Sequence, residues 1–170
     1  TATAATTRAH YTTLAHIMQD SNATVLFASA DFADEAERLA REIPNLKHVF
    51  VMDSEPAGTR LYDPWLAGQS ASRFVVPREG TELAFISYTS GSTGKPKGVL
   101  LTHAAIEWMS RNVRRAMLYG PDERCLLAVP MFHANGMFAG LFSMLECGGS
   151  VVILHDVDPQ AMIRAIGREK

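Results

Sequence analysis

Apolar and polar positions follow one another along the chain in blocks whose period changes. Tyr11, Leu14, Ile17 and Met18 recur at three- and four-residue steps, which predicts a helix, and Asp20-Ser21-Asn22 supplies its stop. Thr24-Val25-Leu26-Phe27-Ala28 is an apolar run of strand length. A second helical face follows in Phe32, Ala36, Leu39, Ala40 and Ile43, with Asp31 as its expected N-cap and Pro44 as its end. Lys47 to Met52 then reads as another strand. Helix, strand, helix, strand predicts a parallel α/β layer, because parallel strands need crossover connections between them.

From Asp53 to Gly80 the period is lost, and Pro56, Gly58, Pro64, Gly68 and Pro77 mark a long connection that Trp65 and Leu66 are placed to pin down. Leu83 to Tyr88 restores a buried strand. Thr102 is a fitting N-cap for a helix to about Leu118, with Ile106, Met109, Val113, Ala116 and Met117 on one face. Arg111, Arg114 and Arg115 fall mostly on the other, which reads as a solvated face. Gly120-Pro121-Asp122 turns the chain into a strand, Cys125 to Pro130; an apolar helix, Met137 to Glu146, ends at Gly148-Gly149. Ser150 to Leu154 is a further strand, and Asp158-Pro159 opens a last helix through Met162 and Ile166. The fold class expected is α/β: alternating strands and helices forming a mostly parallel sheet layered with helices. Residues 1–80 make a first α/β segment with its long connection, and residues 81–170 a second, within one domain.

Composition narrows the function classes. Hydrophobic residues are 47% and charged residues 20% of the 170 positions, ordinary for a globular protein. A net charge of −2 without a basic stripe argues against a nucleic-acid partner. No apolar run approaches the span of a bilayer. Cys125 and Cys147 are too few and too far apart for a disulfide framework and read as free thiols of a reducing cytoplasm. His103 and Glu107 stand four apart, yet no second histidine completes a metal site, so no metal ligand is assigned.

The chemistry concentrates in Tyr88-Thr89-Ser90-Gly91-Ser92-Thr93-Gly94-Lys95-Pro96-Lys97-Gly98-Val99. Glycines let the backbone approach a ligand, hydroxyls add donors and lysines add fixed positive charge, a combination suited to a polyphosphate. It is not a P-loop of the G-x-x-x-x-G-K-[ST] kind: Gly91 and Gly94 are too close, and Pro96 keeps a helix from running through Lys95. No G-x-G-x-x-G stands at a strand–helix junction either.

These twelve residues resemble the phosphate-binding signature of the adenylate-forming (AMP-binding) superfamily, most closely that of acyl- and aryl-CoA synthetases. Ile17-Met-Gln-Asp-Ser-Asn-Ala-Thr-Val-Leu-Phe27 resembles a phrase found in the same order in that superfamily. The resemblance implies that the chain is an internal fragment of the large N-terminal domain, with C-terminal parts of the parent enzyme missing, and inactive alone. It implies ATP-dependent formation of an acyl-adenylate, then a thioester with CoA, with ATP, Mg2+ and CoA as cofactors and a small carboxylic acid as partner. By the same resemblance Thr89, Ser90, Gly91, Ser92, Thr93, Gly94 and Lys97 hold the polyphosphate, and Thr93 and Lys97 are the catalytic candidates. Lys95 stands where relatives often carry an uncharged residue, and no role passes to it.

Val129-Pro130-Met131-Phe132-His133 resembles the segment of CoA synthetases that lines the carboxylate pocket, which gives His133 a substrate-positioning role. Met137, Phe138 and Gly140 fit either an acyl pocket or core packing. The residues are equally compatible with fatty, aromatic or short-chain acids. Two other readings stand beside the CoA ligase: a peptide-synthetase adenylation domain, and a non-catalytic nucleotide-binding module.

Overall fold

A computed structural model describes residues 1–5, 10–52, 59–89, 94–154 and 157–169. In chain order its elements begin with β1 (Ala2–Thr3), α1 (Tyr11–Asp20), β2 (Val25–Ala28), α2 (Ala33–Glu42), β3 (His48–Val51), β4 (Arg60–Leu61) and α3 (Tyr62–Ala67). They continue with β5 (Leu83–Thr89), β6 (Lys97–Thr102), α4 (His103–Met117), β7 (Arg124–Leu127), a π-helix (Asn135–Phe142), α5 (Ser143–Cys147), β8 (Ser150–Ile153) and α6 (Pro159–Arg168). The chain divides into two compact units, Ala5–Pro77 with Tyr88–Val99, and Thr1–Ala4 with Arg78–Ser87 and Leu100–Lys170.

In the first of these, the two predicted helical faces bury what their period demands. Leu14, Ile17 and Met18 of α1, and Ala36 and Leu39 of α2, close on Val49 and Val51 of β3, with Ile43 and Leu46 completing the cluster. Each of these side chains except Ala36 contributes about 1.5–3 kcal/mol by leaving water. Strand β3 lies between β2 and β4, and both pairings are parallel. Central position explains its unbroken Val49-Phe50-Val51: both faces are covered.

Two details depart from the sequence reading. Asp31 does not cap α2; it lies in a 3-10 turn, Ala30–Phe32, that leads into the helix. The stretch after Thr59 is not a bare connection, for it adds β4 and α3. Pro64 sits in the first turn of α3, where its missing N–H costs no helical bond. Trp65 does pin this segment, packing on Phe50, whereas Leu66 stays exposed.

In the other unit β1 pairs in parallel with β5, matching Ala2 to Phe85 and Thr3 to Ile86. Strands β7 and β8 are also parallel, joined through the π-helix and α5. Helix α4 starts as predicted: the Thr102 hydroxyl accepts from the Ala105 N–H at 3.2 Å. Asp158 caps α6 twice, accepting from the Gln160 and Ala161 N–H groups, with Pro159 in the first turn. The β1–β5, β2–β3, β3–β4 and β7–β8 pairings are thus parallel, and among the described residues the strands fall in three small sheets.

The apolar helix expected at 137–146 is π-helical up to Phe142. Its wide turn follows from what it packs on. The Ser143 hydroxyl donates to the Phe138 carbonyl, five residues back, at 2.7 Å. Gly136 and Gly140 bring the backbone against Pro130 and Leu127, where a Cβ would collide.

Candidate functional site

Two stretches carry the candidate chemistry, one in each unit. Strand β5 delivers the glycine-rich stretch, and β6 takes the chain away from it. Ser90, Gly91, Ser92 and Thr93 lie outside the described residues. Gly94 has φ 85°, and no atom stands within 4 Å of where its Cβ would be. Backbone conformation, not space, is what calls for glycine there. Lys95 and Lys97 are exposed, and Pro96 between them holds the chain extended into β6. The Thr89 hydroxyl reaches the Lys97 carbonyl only at 3.5 Å, a weak bond that a better acceptor can displace.

Helix α1 contacts both flanks. The Tyr88 hydroxyl donates to the Asp20 carboxylate at 2.6 Å, and His16 Nε2 lies 3.1 Å from the Pro96 carbonyl oxygen. Since a carbonyl oxygen only accepts, this bond requires the proton on Nε2. Burial first, and then the bond to Asp20, push the Tyr88 phenol well above its ordinary range, so it remains a donor. Sequence reasoning gave His16 no role and Asp20 only that of a helix stop. They stand 80 and 68 residues from their partners, and their one local mark is a four-residue spacing on a helix.

His133 follows β7 in a turn that its own backbone builds. Its N–H donates to the Pro130 carbonyl at 3.1 Å, and its carbonyl accepts from the Met137 N–H at 3.0 Å. The imidazole is exposed, with the Phe132 ring 4.7 Å away, centroid to centroid. Phe138 is a core residue, 3% exposed, edge-on to Phe85 at 5.8 Å. Core packing thus accounts for one of the three residues that fitted either role.

The arginines of α4 are not simply solvated. Arg111 and Arg114 both reach Glu146 of α5, at 3.6 and 3.1 Å, and Glu107 pairs with Arg111 rather than with His103. Among the described residues, no three carboxylate, histidine or cysteine groups converge as metal ligands. No helix among them is long and apolar enough to cross a membrane.

Feruloyl-CoA synthase of Amycolatopsis sp. is 30% identical over 161 residues, covering 92% of this chain and 29% of that enzyme. The 4-hydroxybenzoate–CoA/benzoate–CoA ligase of Rhodopseudomonas palustris is 28% identical over 138 residues, 81% of this chain and 26% of the ligase. The chain thus spans less than a third of the length of the curated relatives it matches. The crystal structure of ATP-bound MatB from Rhodopseudomonas palustris superposes with a TM-score of 0.81 at 23% identity, over 96% of this chain and 32% of MatB; that likeness establishes the fold. The pattern of the family described as AMP-binding enzyme matches residues 2–170, and the chain belongs to that family.

Proposed function

We propose that the protein takes part in ATP-dependent activation of a carboxylic acid, as an AMP-forming acid–CoA ligase. The observation that carries this reading is the sequence of the glycine-rich stretch itself, its hydroxyls, glycines and lysines falling between β5, which ends at Thr89, and β6, which begins at Lys97. A carboxylate oxygen bonds to the α-phosphorus of ATP, the bond to the β-phosphate oxygen breaks, and pyrophosphate leaves. The CoA sulfur then bonds to the acyl carbon; the acyl–oxygen bond breaks, AMP leaves, and the thiol proton passes to solvent.

Thr89, Ser90, Gly91, Ser92, Thr93, Gly94 and Lys97 are assigned to the polyphosphate. Charge grows on its oxygens as pyrophosphate departs, and donors already in place lower that barrier. Thr93 and Lys97 are assigned the largest share. His133, exposed beside Phe132, is assigned to positioning the carboxylate. ATP as substrate is supported by the nucleotide bound in MatB. Mg2+ would come with the nucleotide; the described residues offer no cluster for it, and no step is assigned to it here.

An aromatic acid is the favoured substrate class, because feruloyl-CoA synthase and the benzoate ligase, by their names, act on aromatic acids. Cys125 and Cys147, both free, support a reducing compartment such as the cytoplasm.

The test is carboxylate-dependent exchange of labelled pyrophosphate into ATP, run on the full-length protein and on this chain alone, with ferulate, benzoate, a fatty acid and an amino acid. Exchange with the aromatic acids is expected of the full-length protein and not of this chain alone, and Thr93→Ala and Lys97→Ala should each lower it by about 10²-fold. Exchange with amino acids alone would point to a peptide-synthetase adenylation domain. ATP binding without exchange for any acid would point to a nucleotide-binding module.

A further inference from the structure

We propose that His16 and Asp20 form a two-point clasp on α1 that positions the glycine-rich stretch, Asp20 holding Tyr88 where the chain enters and His16 holding Pro96 where it leaves. The proposal rests on reading that stretch as the ATP-phosphate site and adds to it two positioning residues that do not touch the nucleotide.

Four residues apart on a helix, His16 and Asp20 lie on one face. The helix beneath them is fixed, since Leu14, Ile17 and Met18 are buried in the main cluster. Both polar contacts of this face end on flanks of the same stretch, one on each side. The Asp20 contact is a short bond to an ionised acceptor, the stronger kind. Tyr88 also packs its ring against the core cluster, so its hydroxyl can be removed without removing that packing. Bonds that fix Tyr88 and Pro96 hold the neighbouring Thr89 and Lys97 in place before a ligand arrives, and less ordering of these two is left for binding to impose.

In the full-length protein, affinity for ATP, read by equilibrium dialysis with labelled nucleotide, and the KM values for ATP and for the acid, read by pyrophosphate exchange, test the clasp. Tyr88→Phe, Asp20→Ala and His16→Ala should each weaken ATP about five- to tenfold, the equivalent of one hydrogen bond. The acid KM should stay unchanged. Tyr88→Phe and Asp20→Ala should not add, because they break one bond. Asp20→Asn, which keeps an acceptor, and His16→Gln, which keeps a donor, should recover most of the loss. ATP affinity unchanged within about twofold in Tyr88→Phe and His16→Ala would overturn the clasp. Parallel loss in ATP and acid KM that follows Tm would overturn it too, as the sign of a strut. Binding without exchange in the unaltered protein would sink the ligase reading and still read the clasp; no ATP binding at all would sink both.

Discussion

The indole of Trp65 lies 4.5 Å from the ring of Phe50, centroid to centroid, tilted by 41°. Phe27 stacks on Phe50 at 5.2 Å and lies 6.3 Å from Trp65, so one aromatic group joins β2, β3 and α3. Trp65→Ala would strip this group of its largest member while leaving the main aliphatic cluster whole. Because Trp65 is half-buried, the expected loss is about 2 kcal/mol, below that for a fully buried aromatic. Urea unfolding measures it; a change within experimental scatter would show that α3 contributes nothing to the stability of this unit.

Trp65 also marks how far the sequence could be read. Elements with a full period were legible, α1 and α2 from their apolar faces and α4 and α6 also from their caps at Thr102 and Asp158, although the cap expected for α2 at Asp31 did not form. Helix α3 was not, because six residues containing Pro64 show no period and its support comes from rings on β2 and β3. The π-helix was invisible for a related reason, since its apolar residues suit an α-helix and only contacts with Pro130 and Leu127 decide the wider turn. At the candidate site the loop chemistry was plain in the string of glycines, hydroxyls and lysines. His16 and Asp20 were not, because tertiary contact alone brings them to Pro96 and Tyr88.

Ser110 supplies a prediction of the opposite sign. It is 3% exposed in the middle of α4, and among the described residues its hydroxyl has no hydrogen-bond partner. An unsatisfied buried hydroxyl destabilises, and alanine is the better helix former. Ser110→Ala should raise stability by up to about 1 kcal/mol, seen as a higher Tm. A lower Tm would show that the hydroxyl is bonded in solution.

Tyr88 makes stability depend on alkaline pH. Burial, then Asp20, raise its phenol above the ordinary value of 10.0. Below that value the phenol is protonated in folded and unfolded chains alike, and its full contribution is present. Above it the unfolded chain ionises first, so stability falls as pH rises toward the folded value. Tyr11 and Tyr119 are also raised, which makes the difference between the protein and Tyr88→Phe the proper reading. Urea midpoints should differ by a constant amount up to about pH 10 and converge above it. A difference that is flat throughout the alkaline range would mean the Tyr88–Asp20 bond is not formed.

Gly136 links the π-helix to the turn that presents His133. A Cβ there would stand 2.5 Å from the Pro130 carbonyl oxygen and 3.0 Å from that of Val129, both backbone atoms that cannot rotate away. At Gly140 the nearest atom is the Leu127 Cδ1, at 2.8 Å, a methyl at the end of a flexible side chain. The two alanine substitutions are alike in sequence and unlike in consequence. Gly136→Ala should cost about 2–3 kcal/mol and Gly140→Ala clearly less, the Leu127 rotamer absorbing the clash. The Pro130 carbonyl also accepts from the His133 N–H, so a displaced Pro130 carries His133 with it. Gly136→Ala should therefore raise the KM for the carboxylic acid while leaving that for ATP in place, because the phosphate-binding stretch lies elsewhere in the chain. Equal tolerance of both alanines in thermal unfolding would show that the turn is not pinned at Gly136. A rise in ATP KM alone would remove His133 from the acid site.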